Sequence, residues 1–129
     1  MNLPHYRVYA RVCVSRVHGV GVRSIKSIRK GTAIFHGDDR ASQWIAVRRV
    51  RYLPKAVRQL YEDFGFQYDG CYGCPTSFNR LTPSCFVNHS DKPNVAFDRK
   101  RGFYALRNIK FNEELTADYT SFSKVYETP

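Results

Sequence analysis

A chain of 129 residues has the length of one domain and can bury about two-thirds of its unfolded surface. Apolar residues make up 43%, and no apolar run approaches the roughly 20 residues that span a bilayer, so neither a disordered chain nor a membrane-crossing helix is expected. The net charge of +10 is uneven: residues 1–60 carry 13 Lys and Arg against two acids, and residues 61–129 carry eight against nine.

Taken in chain order, the pattern is of many short strands. The opening, MNLPHYRVYARVCV, lacks the long apolar stretch of a secretory leader, and an intracellular location is the expectation. YRVYARVCVS (6–15) is rich in Val and Tyr, partly alternates, and predicts a strand. HGVGV (18–22) has two glycines and predicts a turn entering a second strand. IRKGTAIFHG (28–37) predicts a Lys-Gly turn, then a short apolar strand. VRRVRYLPKAVRQ (47–59) concentrates positive charge. Within 53–64, Pro54 precedes Val57, Leu60, Tyr61 and Phe64 at spacings of three and four, which predicts one helix near 54–64. Residues 65–85 predict a long loop with short pieces of structure. VAFDRKRGFYALRNI (95–109) predicts a hairpin around residues 99–102. ELTADY (114–119) follows a turn at 110–112.

Four cysteines are present, Cys13, Cys71, Cys74 and Cys85, and reduced thiols are expected. CYGC (71–74) is a single CxxC. A four-cysteine zinc site needs a second, and only Cys85 and His89 are near enough in sequence to complete one. The pair therefore predicts small buried hydrophobes in a Gly-containing turn, and no metal. The basic N-terminal half suits an anionic partner such as nucleic acid, or else is a solvated face; no base-reading motif is visible.

The specific signal is an ordered set. HGVGV, IRKGTAIF, FVNHSDKPN (86–94) and FYALRNIKFNEELTADY (103–119) occur in that order. Gly19-Val20-Gly21 alone is weak, and no long helix follows it, which rules out a dinucleotide-binding fingerprint. Together the segments resemble the SET domain of protein-lysine methyltransferases, across roughly residues 6–122. The chain is similar to a minimal, stand-alone SET protein of bacterial or viral type.

The resemblance implies a mainly β fold of the β-clip or SET type over 1–129. It has several short sheets, a C-terminal pseudoknot in which the NHS and ELTADY segments thread together, a core of about 6–122 and a short tail of 123–129. It implies S-adenosyl-L-methionine as cofactor, bound by His18, Gly19, Val20, Gly21, Tyr72, Phe86, Asn88, His89, Tyr119 and Phe122. Tyr119 matches the catalytic tyrosine. Tyr68, Ala117 and Tyr119 are expected to line the substrate channel, with Phe66 a further aromatic of the variable insert. Pro93 fixes the chain direction, and Asn94 is expected to bond neighbouring backbone in a turn. Ala117 stands where many members carry Phe or Tyr, which favours di- or trimethylation. Cys85 stands where many carry Arg, which removes one family hydrogen bond. After Tyr119 the tail TSFSKVYETP has no cysteine-rich zinc segment, so this tail, a homodimer partner or the substrate is expected to close the channel.

A histone, histone-like, ribosomal or other nucleic-acid-associated protein is the implied substrate. Such tails are basic, like this chain, so Asp91, Asp98, Glu113, Glu114 and Asp118 are candidates for a local negative mouth. Two other classes stand against the enzyme. One is a catalytically weak SET-like module binding nucleic acid through the basic half. The other is an HNH-type metal nuclease, for which His5, His18, His36 and His89 are too few and too scattered.

Overall fold

The computed structural model describes residues 3–38 and 42–121. They fall into two units. One takes the chain up to Gly37 together with Phe86–Asp118; the other takes Asp38–Cys85 and the residues from Tyr119.

In the first unit, β1 (Ala10–Val14) and β2 (Val20–Ser24) pair antiparallel from Ala10↔Ser24 to Val14↔Val20. Their valines favour the extended backbone. The strand expected over 6–15 is shorter because Arg7, at φ 57°, turns the chain before it. Gly19, at φ 49°, closes the hairpin. The Ser15 hydroxyl accepts from the Val17 and His18 N–H groups at 2.8 and 3.0 Å. Residues 28–37 form no continuous strand. Gly31 turns at φ 87°, and Ile28, Ala33 and Phe35 make isolated bridges to Ile109, Tyr104 and Val8.

The second half of this unit threads one strand between two others. β6 (Asn88–His89), β7 (Val95–Asp98), β8 (Gly102–Ala105) and β9 (Thr116–Ala117) form a sheet in the order β6-β9-β7-β8. β9 runs parallel to both β6 and β7, which are consecutive in the chain, so residues 90–94 loop past the inserted strand. The expected hairpin is present as β7–β8, with Gly102 at φ 69°. Val22, Ile28, Ile34, Val95, Phe103, Ile109, Leu115 and Ala117 are buried in this unit. The ladder ties them together: Leu115 N–H donates to Val22 O at 2.8 Å, and Ile34 N–H to Phe103 O at 3.0 Å.

The second unit is built on β3 (Gln43–Ala46), β4 (Phe66–Tyr68) and β5 (Cys71–Cys74), in the order β3-β5-β4. CYGC is therefore the central strand, not a turn. The turn is the Asp69-Gly70 pair before it, both at positive φ, the backbone that a two-residue hairpin needs. A Cβ on Gly73 would stand 2.9 Å from the Trp44 ring, so glycine leaves room for that indole on the neighbouring strand. The expected helix is α2 (Lys55–Phe64), following α1 (Val47–Val50), a single turn that periodicity did not predict. Val50, Tyr72 and Cys74 form a buried cluster, with Ile45, Val47, Leu53, Tyr61 and Phe78 packed on it.

Candidate active site

The Asn88 side chain is the hub of the first unit. Its Nδ2 lies 3.0 Å from Ser15 Oγ, 3.1 Å from His18 O, 3.1 Å from Val20 O and 3.2 Å from Glu114 Oε2. An amide nitrogen has two protons, so these acceptors share them. Ser15 donates to Glu114 Oε2 at 2.7 Å. Three segments far apart in sequence, the glycine hairpin, the NHS strand and the EEL turn, are thus fastened by one amide, one hydroxyl and one carboxylate. Gly21 lies at their meeting point. A Cβ there would come 2.7 Å from Glu114 Oε2, 2.9 Å from Ser15 Cβ and 3.1 Å from Asn88 Nδ2.

A second knot fixes the threaded strand. Asn94, only 3% exposed, donates to Glu114 O at 2.8 Å and to Glu113 Oε2 at 3.1 Å, and accepts from Thr116 N–H at 2.8 Å. Its side chain therefore spans to residues 113–116 rather than closing a local turn, which corrects the expectation for this residue. Glu113 also pairs with Arg107. That guanidinium is the main reason its carboxyl is held down to about 2, against the opposing effect of burial; the Lys110 N–H and the Asn94 amide help. Arg107 is pushed up by the same contact.

The expected site residues divide between the units. His18, Gly19, Val20, Gly21, Asn88 and His89 gather around the Asn88 hub. The half-exposed His89 ring has Nδ1 3.9 Å from Asp118 Oδ1, and its backbone is in register with Ala117. Ala117 is fully buried in β9, and its carbonyl accepts from Ser90 N–H at 3.0 Å. Phe86, part-buried, ends the 3₁₀ turn Pro83–Phe86. Tyr68 and Tyr72 lie in the second unit. Tyr68 is part-buried, with its ring 6.1 Å from Trp44, and Phe66 is buried beside it. Tyr72 is 4% exposed in that unit's apolar cluster, 5.8 Å from the Tyr61 ring, and accepts from Gln67 Nε2 at 3.1 Å. Burial pushes its hydroxyl up, against the Gln67 bond. Tyr119 opens the 3₁₀ turn Tyr119–Ser121, two residues after β9. Phe122 lies outside the described residues.

Ser15 was missed in sequence. Its signal was a hydroxyl residue just before a glycine turn, where its oxygen can bond N–H groups two and three residues on. The expected negative mouth is reduced: Asp98 pairs with Arg101 at 2.7 Å and Glu113 with Arg107. Glu114 is held by Ser15 and Asn88. Among the described residues, no group of three or more His, Cys, Asp or Glu could hold a metal ion.

Comparison with known proteins places this geometry. The SET domain family model matches residues 19–120. A Neurospora crassa protein, the histone-lysine N-methyltransferase specific for H3 lysine 4, is 30% identical over 114 residues; the match covers 81% of this chain and 8% of that protein. Among solved structures, the Neurospora SET domain protein DIM-5, a histone lysine methyltransferase, superposes with a TM-score of 0.63 at 21% identity, covering 87% of this chain and 52% of that one. A Plasmodium falciparum protein assigned as a histone methyltransferase gives 0.55 at 19% identity, covering 87% and 93%. At these identities the solved structures speak for the fold: small β sheets with few helices. With the family match running from the glycine hairpin through the threaded strand to the turn that follows it, the chain belongs to the SET domain family.

Proposed function

We propose that this chain transfers the methyl group of S-adenosylmethionine to the ε-amine of a lysine in a protein substrate. The observation that carries the reading is the Asn88 hub, which joins the glycine hairpin to the NHS strand in a chain of the SET domain family. The residues present fit such a donor. A Cβ at Gly19 would meet nothing within 4 Å, so space stands open beside that turn. The cluster is rich in acceptors, the His18 and Val20 carbonyls and the Glu114 carboxylate, a polarity that suits a cation. When bound, the donor supplies an electrophilic methyl on a positively charged sulfur.

The chain's own residues then bind and orient. The Gly19–Gly21 backbone and Asn88 hold the donor, with His89 beside them. Tyr119 orients the incoming amine through its hydroxyl. That amine must be neutral; free lysine has a pKa of about 10.4, and apolar surroundings lower it. Positioning and desolvation supply most of the rate. The small Ala117 side chain favours di- or trimethylated product. A histone or another nucleic-acid-associated protein is the substrate class, in keeping with the relative that acts on H3.

Calorimetric titration with S-adenosylhomocysteine tests the donor site. The wild type is expected to bind, and Asn88→Ala to weaken binding about 10-fold or more, as losing a hub of hydrogen bonds implies. A labelled-methyl assay over histones and ribosomal proteins follows, with Tyr119→Phe expected to lower turnover about 100-fold. A wild type that shows no binding and no transfer would end this reading.

A further inference from the structure

The basic segment 47–58 is not used by the methyl-transfer site. No acid occurs between Asp39 and Glu62 in the sequence. The apolar side of this segment is fastened down: Val50 is buried with Tyr72 and Cys74, and Val47 and Leu53 pack on the same cluster. That anchoring turns Arg48, Arg49, Arg51 and Lys55 to solvent. Among the described residues none of the four has an acidic partner. The acids that end α2 are engaged elsewhere: Glu62 with Arg58 at 3.5 Å, and Asp63 with Gln59 at 2.9 Å. In the middle of the run Tyr52 is 83% exposed.

We propose that Arg48, Arg49, Arg51, Lys55 and Tyr52 form a nucleic-acid-binding surface, the four cations neutralising phosphates and Tyr52 stacking on an unpaired base. Uncompensated cations held on a fixed turn are what a phosphate strand requires, and an aromatic among them gives a base a face to stack on. An acidic protein surface is the rival. Protein interfaces have an apolar centre depleted of charge, whereas here the exposed Tyr52 follows the exposed Arg51, and Arg48, Arg49 and Lys55 are exposed within four residues of it. The surface is independent of methyl transfer and stands or falls separately from it.

The test is fluorescence anisotropy of the full chain with a labelled oligonucleotide of about 20 nucleotides, single-stranded and as duplex, over about 50 to 200 mM salt. Four phosphate contacts to a single strand give a log–log salt slope of about −3, an affinity loss of about 50-fold across that range. The combined variant R48A/R49A/R51A/K55A is expected to remove most of that slope while its thermal unfolding stays near wild type, since all four side chains are exposed. Tyr52→Ala is expected to weaken single-strand binding about 10-fold with the slope unchanged. R99A/K100A, at the tip of the β7–β8 hairpin, is expected to bind as wild type. The assignment is overturned if the wild type does not bind, or if the combined variant keeps the wild-type slope. It is also overturned if R99A/K100A costs as much as the combined variant. Tighter, patch-dependent binding of polyglutamate than of the oligonucleotide would assign the surface to an acidic protein instead.

Discussion

A methyl group at Gly21 would stand 2.7 Å from a carboxylate oxygen already held by Ser15 and Asn88. That oxygen cannot step aside without releasing both partners, and the Ser15 Cβ at 2.9 Å belongs to a residue whose N–H is bonded to Gly19 O at 2.7 Å. Gly21→Ala is therefore expected to cost about 1–3 kcal/mol, the range for overpacking, and to weaken S-adenosylhomocysteine binding. Gly19 differs in kind: it has open space but a φ of 49°. Gly19→Ala is expected to cost about 1–2 kcal/mol through backbone strain alone, and Gly19→Asn less, because Asn tolerates that region. Chemical denaturation of the three variants beside wild type checks the ordering; an Asn as costly as the Ala would refute strain as the cause at position 19. Asn94 works by the same logic of position. Its amide satisfies the Thr116 N–H and the Glu114 carbonyl at once, so the threaded strand has no buried polar group to spare there.

At the scale of elements, β9 is two residues long and cannot hold itself by ladder bonds alone. It is held by β6 on one side, β7 on the other, and the Asn94–Glu113–Arg107 knot at its entrance. Glu113 has its carboxyl held at about 2 against an ordinary 4.5. Between those values the unfolded chain binds the proton and the folded chain does not, so stability rises with pH across that window. The contribution is complete above pH 4.5 and lost as pH falls towards 2. Thermal unfolding followed across this range is expected to show wild type losing more than Glu113→Gln, which lacks the titrating group; parallel curves would refute the linkage. The hairpin of β4 and β5 carries a plainer lesson. Its Asp-Gly turn is a strong two-residue signal, and it was passed over because 65–85 read as loop by composition. CYGC then looked like a turn, when its glycine makes room for Trp44 in the middle of a sheet.

For the whole molecule, charge sets the terms of encounter. A chain of net charge +10 repels a lysine-rich tail at long range, and two of the five acids expected to draw it in are neutralised by arginines. Transfer to a basic histone-tail peptide is therefore expected to speed up as salt rises from low levels to about 0.15 M, where screening acts over about 8 Å. A peptide with acidic flanks is expected to slow down. Steady-state kcat/KM at several ionic strengths reads this, and the opposite ordering would place the substrate's charge on the other side.

The sequence alone determined the family, the mainly β architecture, the helix near 54–64 and the β7–β8 hairpin. Those follow from local order: turn chemistry, alternation, three-to-four spacing and motif sequence are all carried by residues near one another in the chain. Tertiary structure decided the rest. Ser15 and Glu114 meet Asn88 across 73 and 26 positions, and Asn94 reaches Thr116 across 22. Whether Tyr72 faces an apolar core or an open channel was equally undetermined, since both surroundings favour an aromatic. Such contacts depend on threading one strand between two others, and no periodicity in the sequence encodes which distant side chains that threading brings within 3 Å.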